Sequence, residues 1–236
     1  METTPLCILP ARGGSKRIPR KNIRPFAGRP ALAWPLAAAR ASGLFARLIV
    51  STDDTEIAAT ARAEGAETPF LRDPFLADDH AGTTEVIRDA VARLALPPDT
   101  PVCCLYPTAL FVTPEDLREG HTRLTAGARW VLGLGRYRTP IDRAYALDAE
   151  GRATARTPSA MEKRSQDLAP AYYDAGAFYW ARAATWADPA ARVWDGAAAV
   201  VIPEARALDI DTPEDWAEAE ARAARLGLIH APDDPR

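Results

Sequence analysis

Short apolar runs alternate with helical segments along most of the chain, and most helical segments carry their own start and stop residues. Leu6 to Leu9 is an apolar run that ends at Pro10. Ala31 to Ser42 reads as a helix opened by Pro30 and closed by Gly43, with Pro35 either in its first turn or kinking it. Arg47 to Ser51 reads as a buried strand, followed by a helix capped by Asp53 or Asp54 that runs to Glu64 and stops at Gly65. Thr68 to Leu71 reads as a weak strand, Thr83 to Leu96 as a helix halted by Pro97-Pro98, and Val102 to Tyr106 as a strand. Thr113-Pro114-Glu115-Asp116 combines a cap, an N1 proline and first-turn acids, opening a helix to about Ala126. Strands follow at Trp130 to Leu134, Gly176 to Trp180, Val200 to Ile202 and Ala207 to Ile210. Thr212-Pro213-Glu214-Asp215 opens a last helix ending near Gly227.

This alternation predicts an α/β fold: a mostly parallel sheet covered by helices on both faces. Residues 1–230 read as a single domain and 231–236 as a loose tail. From about 136 to 170 the rhythm breaks into a stretch rich in Arg, Pro and Tyr, read as a β-rich excursion or interaction flap. Ligand sites in such folds lie beyond the carboxyl ends of the strands. That rule selects Ala11 to Asn22, Asp53-Asp54, Pro107-Thr108 and Asp211.

Composition excludes several classes. Across 236 residues, hydrophobic residues make up 47% and charged residues 26%, as in a globular chain and unlike a disordered one. Charged residues or proline interrupt every apolar run before it is long enough to span a bilayer, and Met1 to Leu6 lack the basic and apolar regions of a signal peptide. Cys7, Cys103 and Cys104 all sit in strand-like runs and read as reduced core thiols, which points to the cytoplasm. Three His and three scattered Cys give no zinc spacing, and His80 and His121 read as surface residues.

Charge is unevenly spread. From Arg12 to Arg29 there are seven basic residues and no acid, in a chain whose net charge is −3. Gly13-Gly14 lets backbone come close to a ligand, Arg12 can bridge phosphate oxygens, and Lys21 acts as a point charge. The position after the first strand favours a polyphosphate over a merely solvated basic loop. The Walker and dinucleotide glycine spacings are both absent. An acidic remainder without interleaved basic and aromatic residues argues against nucleic acid.

Near the other end, Leu208-Asp209-Ile210-Asp211 places two acids at i and i+2. In a strand they share a face, roughly 6–7 Å apart, and repel unless a cation lies between them. Read alone, Asp211 precedes a helix cap and Asp209 is exposed. Beside a triphosphate loop, a shared Mg²⁺ is the better account.

The chain resembles the CMP-sugar synthetases, the acylneuraminate cytidylyltransferase family acting on nonulosonic acids. The resemblance rests on the loop from Pro10 to Asn22, on Ile49 to Asp54, on Phe70-Leu-Arg72 with Leu76-Ala-Asp78, on Tyr106-Pro-Thr108 and on Asp209-Ile-Asp211, in the family's order. Three further segments look most like the members whose sugar is pseudaminic acid: Arg164 to Leu168, Ala171 to Trp180 and Leu208 to Trp216. Tyr173 stands where that pattern has His, and Leu110 where it has Pro, which leaves the sugar open among pseudaminic, legionaminic, N-acetylneuraminic and 3-deoxy-octulosonic acids. A catalytically inactive nucleotide binder is the remaining alternative.

The resemblance implies a Rossmann-like three-layer sandwich of the nucleotide-diphospho-sugar transferase type, with the excursion serving a homodimer. It implies that CTP and an acidic nine-carbon sugar react to give the CMP-sugar and pyrophosphate, with Mg²⁺ that Mn²⁺ can replace. It assigns Arg12, Lys21 and Asp211 to catalysis. CTP binding falls to Ala11, Arg12, Gly13, Gly14, Ser15, Lys21, Asn22 and Arg72. Tyr106, Arg164, Gln166 and Tyr179 face the sugar, and Asp209 and Asp211 hold the metal. Tyr179 and Trp180, adjacent in a strand, must face opposite ways.

Overall fold

The computed structural model describes residues 3–77 and 81–228. The tail expected at 231–236, Asp78 and His80 lie outside the described residues. The chain begins with β1 (Leu6–Pro10), a two-residue ribbon of β2 (Pro25–Phe26) and β3 (Arg29–Pro30), and then α1 (Ala33–Ser42). Next come β4 (Arg47–Ser51), α2 (Thr55–Ala63), α3 (Thr83–Arg93), β5 (Pro101–Leu105), α4 (Pro114–Thr125) and β6 (Val131–Arg136). The excursion holds the hairpin β7 (Tyr145–Leu147) and β8 (Ala153–Ala155) and the short helix α5 (Pro158–Met161). The chain closes with β9 (Tyr172–Arg182), α6 (Ala183–Ala187), β10 (Ala198–Val201) and α7 (Pro213–Arg225).

Among the described residues the main sheet runs β10-β6-β9-β5-β1-β4. β1 pairs parallel with β4 and β5, and β10 parallel with β6. β9 alone of the six runs antiparallel, between β5 and β6. One face carries Leu9, Val50, Cys103, Phe178 and Trp180 under α1, α2 and α4; the other carries Ile8, Ile49, Cys104 and Tyr179 under α3 and α6. Tyr179 and Trp180 therefore face opposite ways, as expected. All three cysteines are free and buried.

Local chemistry accounts for the helix ends. Pro35 sits in the first turn of α1, where no N–H is needed, and Gly43 ends the helix at φ 68°. Asp54 caps α2 by accepting from Glu56 and Ile57 N–H, both at 2.9 Å. The two Thr-Pro-Glu-Asp segments form capping boxes on α4 and α7, each contributing about 1 kcal/mol. α3 stops at Arg93, short of Leu96, because Ala95 takes φ 48° ahead of the prolines.

Two expected strands are absent. The segment expected at 68–71 makes one isolated bridge, Leu71 with Thr52, and its neighbour Glu67 another with Ile49, but no continuous ladder forms. Residues 207–210 are extended with no strand partner. Side chains take over the role of a ladder there. Arg222 donates to the Ala207 carbonyl at 2.8 Å and the Glu204 carbonyl at 2.9 Å, Tyr173 donates to Ala207 at 3.3 Å, and Lys21 donates to Ile210 at 2.5 Å. Arg206 ties this segment to α4 through Asp116, 3.0 Å away and 6% exposed, and through the Phe111 carbonyl at 3.1 Å.

A third apolar cluster joins the two ends of the chain: Ile18 and Phe26 pack with Leu110, Phe111, Ile210 and Trp216. Phe26 meets Phe111 and Trp216 edge-on, with centroids 6.0 and 5.8 Å apart. Leu110 is therefore core. Tyr173 lies across Gly135, where an added Cβ would fall 2.4 Å from its ring.

Arg206→Ala leaves the Asp116 carboxylate buried without its cation. It should lower stability by about 3 kcal/mol in urea denaturation, whereas a loss under 1 kcal/mol would show that the pair does not anchor the segment.

Candidate active site

A cavity of about 260 Å³ opens at the carboxyl ends of β1 and β5. Five cations line it, Arg12, Lys16, Arg17, Lys21 and Arg72, and one carboxylate, Asp211, among the described residues. Ser15, Asn22, Thr83, Tyr106 and Thr108 complete its polar wall. The two features expected to meet, the early basic loop and the late acid pair, do meet. Lys21 Nζ lies 3.2 Å from Asp211 Oδ1, and an Arg17 guanidinium nitrogen lies 2.9 Å from Oδ2. Burial raises the Asp211 carboxyl, but Lys21 and then Arg17 outweigh it and hold the group below the usual carboxylate range.

Asp209 lies beside Gly176 rather than among the cavity-lining residues. Gly176 has φ +58°, and a Cβ there would fall 2.4 Å from Asp209 Oδ1, so this position requires glycine both for its backbone and for space. Partial burial, then the charges of Asp211 and Asp174, push the Asp209 carboxyl up, against the pull of Lys21. The charge of Asp211 acting on Asp209 places two carboxylates near one another, and such a pair of oxygen donors suits a divalent cation. Among the described residues no cluster of three or more ligating side chains exists. An ion here would therefore draw the rest of its shell from water and substrate oxygens, the usual pattern for Mg²⁺.

The basic loop is held from behind. Gly13 N–H donates to Asp53 at 3.0 Å, and Ser15 N–H donates to the Gly13 carbonyl at 3.0 Å. Those two amides are engaged within the protein and do not form the open phosphate cradle the sequence suggested. Arg20, at φ 57°, pairs with Asp54 and Glu56 at the start of α2. Asn22 donates to the Arg12 carbonyl at 2.9 Å, bracing the loop from inside. Ala11 is fully buried, with its N–H on the Ser51 carbonyl at 2.9 Å, so it supports the loop and does not face the cavity.

Arg72 is 5% exposed and anchored on Ser51 and the Leu76 carbonyl. Burial pushes its guanidinium down to about 10, with the nearby charges of Asp53 and Asp89 partly offsetting.

The expected sugar-facing residues separate into two groups. Tyr106 lines the cavity and shares a 2.9 Å hydrogen bond with Thr83. Tyr179 stands edge-on to it at 5.5 Å and donates to Asp174. Burial raises both phenols, so both are neutral. Arg164 and Gln166 do not line this cavity. They are exposed on the excursion, where Arg164 pairs with Asp167 at 2.8 Å. His121 is half-buried against Trp180, 5.4 Å away, and takes no part in the site.

Three residues here escaped the sequence reading. Arg17 lies within the basic run, Thr83 opens a helix, and Asp174 lies in the Ala171 to Trp180 segment two residues before Gly176. The register of β6 against β9 shifts between Leu132 and Leu134, which pair with Tyr179 and Asp174. This bulge turns Asp174 back toward Tyr179, a juxtaposition that a flat strand at i and i+5 does not allow.

Fold and site together define an α/β protein of the nucleotide-diphospho-sugar transferase fold type, with a cation-lined pocket at the carboxyl ends of β1 and β5. A cytidylyltransferase family model matches residues 6–141. Pseudaminic acid cytidylyltransferase of Campylobacter jejuni is 37% identical over 213 residues, spanning 89% of this chain and 92% of that protein. CMP-N,N'-diacetyllegionaminic acid synthase of Legionella pneumophila is 29% identical across 91% of this chain and 94% of its own. The structure of CMP:2-keto-3-deoxy-manno-octonic acid synthetase with CTP superposes with TM-score 0.69 at 16% identity, covering 95% and 100% of the two chains. The chain belongs to the cytidylyltransferase family, whose members are CTP-dependent nucleotidyltransferases.

Gly13 and Gly14 separate structural need from chemical resemblance. A Cβ on Gly13 falls 2.8 Å from Asp54 Oδ2, whereas one on Gly14 meets nothing within 4 Å. Gly13→Ala should cost about 1–3 kcal/mol and Gly14→Ala less than about 0.5 kcal/mol. Thermal denaturation of the pair checks this, and equal melting temperatures would refute it.

Proposed function

We propose that this chain forms CMP-pseudaminic acid and pyrophosphate from CTP and free pseudaminic acid. One observation carries the nucleotide half: five cations around one carboxylate in a single cavity at the strand ends. A nucleoside triphosphate brings close to four negative charges, and such a lining offsets most of them. The sugar half is supported by the 37% identity to the Campylobacter enzyme across nearly the whole chain.

Arg12 and Lys21 grip the triphosphate, the first as a bidentate fork and the second as a point charge. Ser15 and the Gly14 amide supply the neutral donors of the loop. Asn22 acts through the Arg12 carbonyl it holds, and Arg72 closes the base end of the pocket. Asp209 and Asp211 hold Mg²⁺. The bound ion would polarise the α-phosphate and lower the pKa of the attacking hydroxyl. The anomeric oxygen of the sugar bonds to the α-phosphorus, its proton is released, and the bond to the bridging oxygen breaks. Arg12 and Lys21 meet the charge that develops on the leaving pyrophosphate. Tyr106 and Tyr179 form the neutral floor beneath the sugar.

The excursion serves a second copy of this chain. Tyr137, Ile141, Tyr145, Leu147 and Tyr172 are each at least 40% exposed on or beside it, an apolar surface of the kind an interface covers. The second copy brings the partner's Arg164 to the sugar carboxylate and the partner's Gln166 beside it.

Pyrophosphate release with CTP, compared across pseudaminic, legionaminic, N-acetylneuraminic and 3-deoxy-octulosonic acids, should be fastest with pseudaminic acid. A preference for another sugar overturns the assignment while leaving the chemistry in place. Asp211→Asn should lower kcat by about 10²-fold or more with the fold intact by circular dichroism, and unchanged turnover refutes the metal assignment. Leu147→Lys with Tyr145→Lys should convert a dimer into a monomer in sedimentation and raise the KM for sugar. A wild-type chain that sediments as an active monomer overturns the interface.

A further inference from the structure

Both oxygens that Asp211 offers are already engaged by cations of the nucleotide loop. Oδ1 faces Lys21 Nζ at 3.2 Å, and Oδ2 faces Arg17 at 2.9 Å. The two cations are held differently. Lys21 is 19% exposed and also donates to the Ile210 carbonyl at 2.5 Å, so backbone fixes its position. The Arg17 side chain is 62% exposed and reaches Asp211 from the rim of the cavity. Arg17 also lines the same cavity as Arg12, Lys16 and Lys21. One guanidinium is thus in reach of two anions, the Asp211 carboxylate and an incoming phosphate chain.

We propose that Arg17 is a placeholder cation: it occupies Asp211 while the cleft lacks nucleotide, and passes to the triphosphate when nucleotide arrives, opening Asp211 to the divalent ion. The proposal rests on the reading of Asp211 as a metal ligand and goes beyond it, because it assigns a role to Arg17 and an order to the two events.

The exchange conserves charge neutralisation at each step. A divalent ion approaching the nucleotide-free cleft must displace a charge-assisted pair and meets the repulsion of Arg17 and Lys21. Once phosphate oxygens have drawn Arg17 away, the same ion meets a free carboxylate oxygen and phosphate oxygens together. A guanidinium forks onto phosphate as readily as onto carboxylate, so the transfer leaves Arg17 with an anionic partner at both stops. By linkage, nucleotide and metal then strengthen one another's binding by the same factor, and Arg17 contributes to that factor.

Mn²⁺ binding to the nucleotide-free protein, followed by the electron paramagnetic resonance signal of the free ion, tests the proposal without turnover. The comparison uses wild type, Arg17→Gln, Arg17→Lys, Asp211→Asn and the Arg17→Gln/Asp211→Asn double variant. Removing a half-exposed ion pair should tighten Mn²⁺ binding about three- to fivefold in Arg17→Gln, leave Arg17→Lys close to wild type, and give no gain in the Asp211→Asn background. A wild-type affinity in Arg17→Gln, or a gain that survives in the double variant, overturns the placeholder. If Asp211→Asn weakens Mn²⁺ binding while Arg17→Gln does nothing, the placeholder falls and the metal assignment stands. If Asp211→Asn leaves Mn²⁺ binding untouched, the metal assignment falls and takes the placeholder with it.

Discussion

The site exists because a small apolar cluster away from the main sheet pins the two ends of the chain together. Ile18 and Phe26 come from the basic loop and its ribbon, Ile210 and Trp216 from the late acid segment and α7, and Phe111 closes the gap. These side chains exclude water beside a region where cations and carboxylates would otherwise be strongly hydrated. Without that packing, the attraction between Lys21 and Asp211 would be a surface ion pair worth little. With it, Lys21 is held at 19% exposure between the Asp211 carboxylate and the Ile210 carbonyl. The electrostatics of the cleft follow from hydrophobic burial next to it.

A second constraint acts on the acid segment itself. Residues 207–210 carry backbone carbonyls that no strand satisfies, and side chains satisfy two of them: Arg222 and Tyr173 donate to Ala207, and Lys21 donates to Ile210. A regular strand would point Asp209 and Asp211 at one face and fix them rigidly. The side-chain-bonded segment instead lets Asp209 settle against Gly176 while Asp211 turns to the cationic loop. The bulge in β9 completes the arrangement, because the residue at φ +58° makes room for Asp209 and the same bulge brings Asp174 to Tyr179.

Much of this was legible in the sequence where the signal is local. Caps at Asp54, Thr113 and Thr212 and the stop at Gly43 depend on residues within a few positions, so they could be read directly. The basic loop announced itself by charge segregation, and its place after β1 by the alternation of elements. The readings that failed depended on distant partners. Residues 68–71 and 207–210 have strand-like composition, but a strand needs a neighbour in register, and that neighbour is set by the whole fold. Nothing local indicated that β9 runs antiparallel or that its bulge redirects Asp174. The Gly-Gly pair suggested two similar backbone donors, yet Gly13 N–H is taken by Asp53, forty positions away. Where Arg164 and Gln166 stand relative to the cavity depends on where the excursion projects, which no local signal carries.

On the proposed reading, the cleft meets its two substrates with different physics. On the proposed nucleotide side, five cations gather around one acid, and four of them, Arg12, Lys16, Arg17 and Lys21, come from a loop braced by Asp53, Asp54 and Asn22. Charge of that density in a half-open cavity is long-ranged and tolerant of small displacements, so it suits a flexible polyphosphate. On the proposed sugar side, Tyr106 is partly buried and Tyr179 buried, both are neutral, and they hydrogen-bond to Thr83 and Asp174 respectively. Hydrogen bonds and ring contacts fall off within a few ångströms and depend on direction. They discriminate between sugars of equal charge, which the cationic loop cannot do. On the proposed reading, reactivity lies where the two regimes touch, at Asp209 and Asp211, with Asp209 seated against Gly176 of β9.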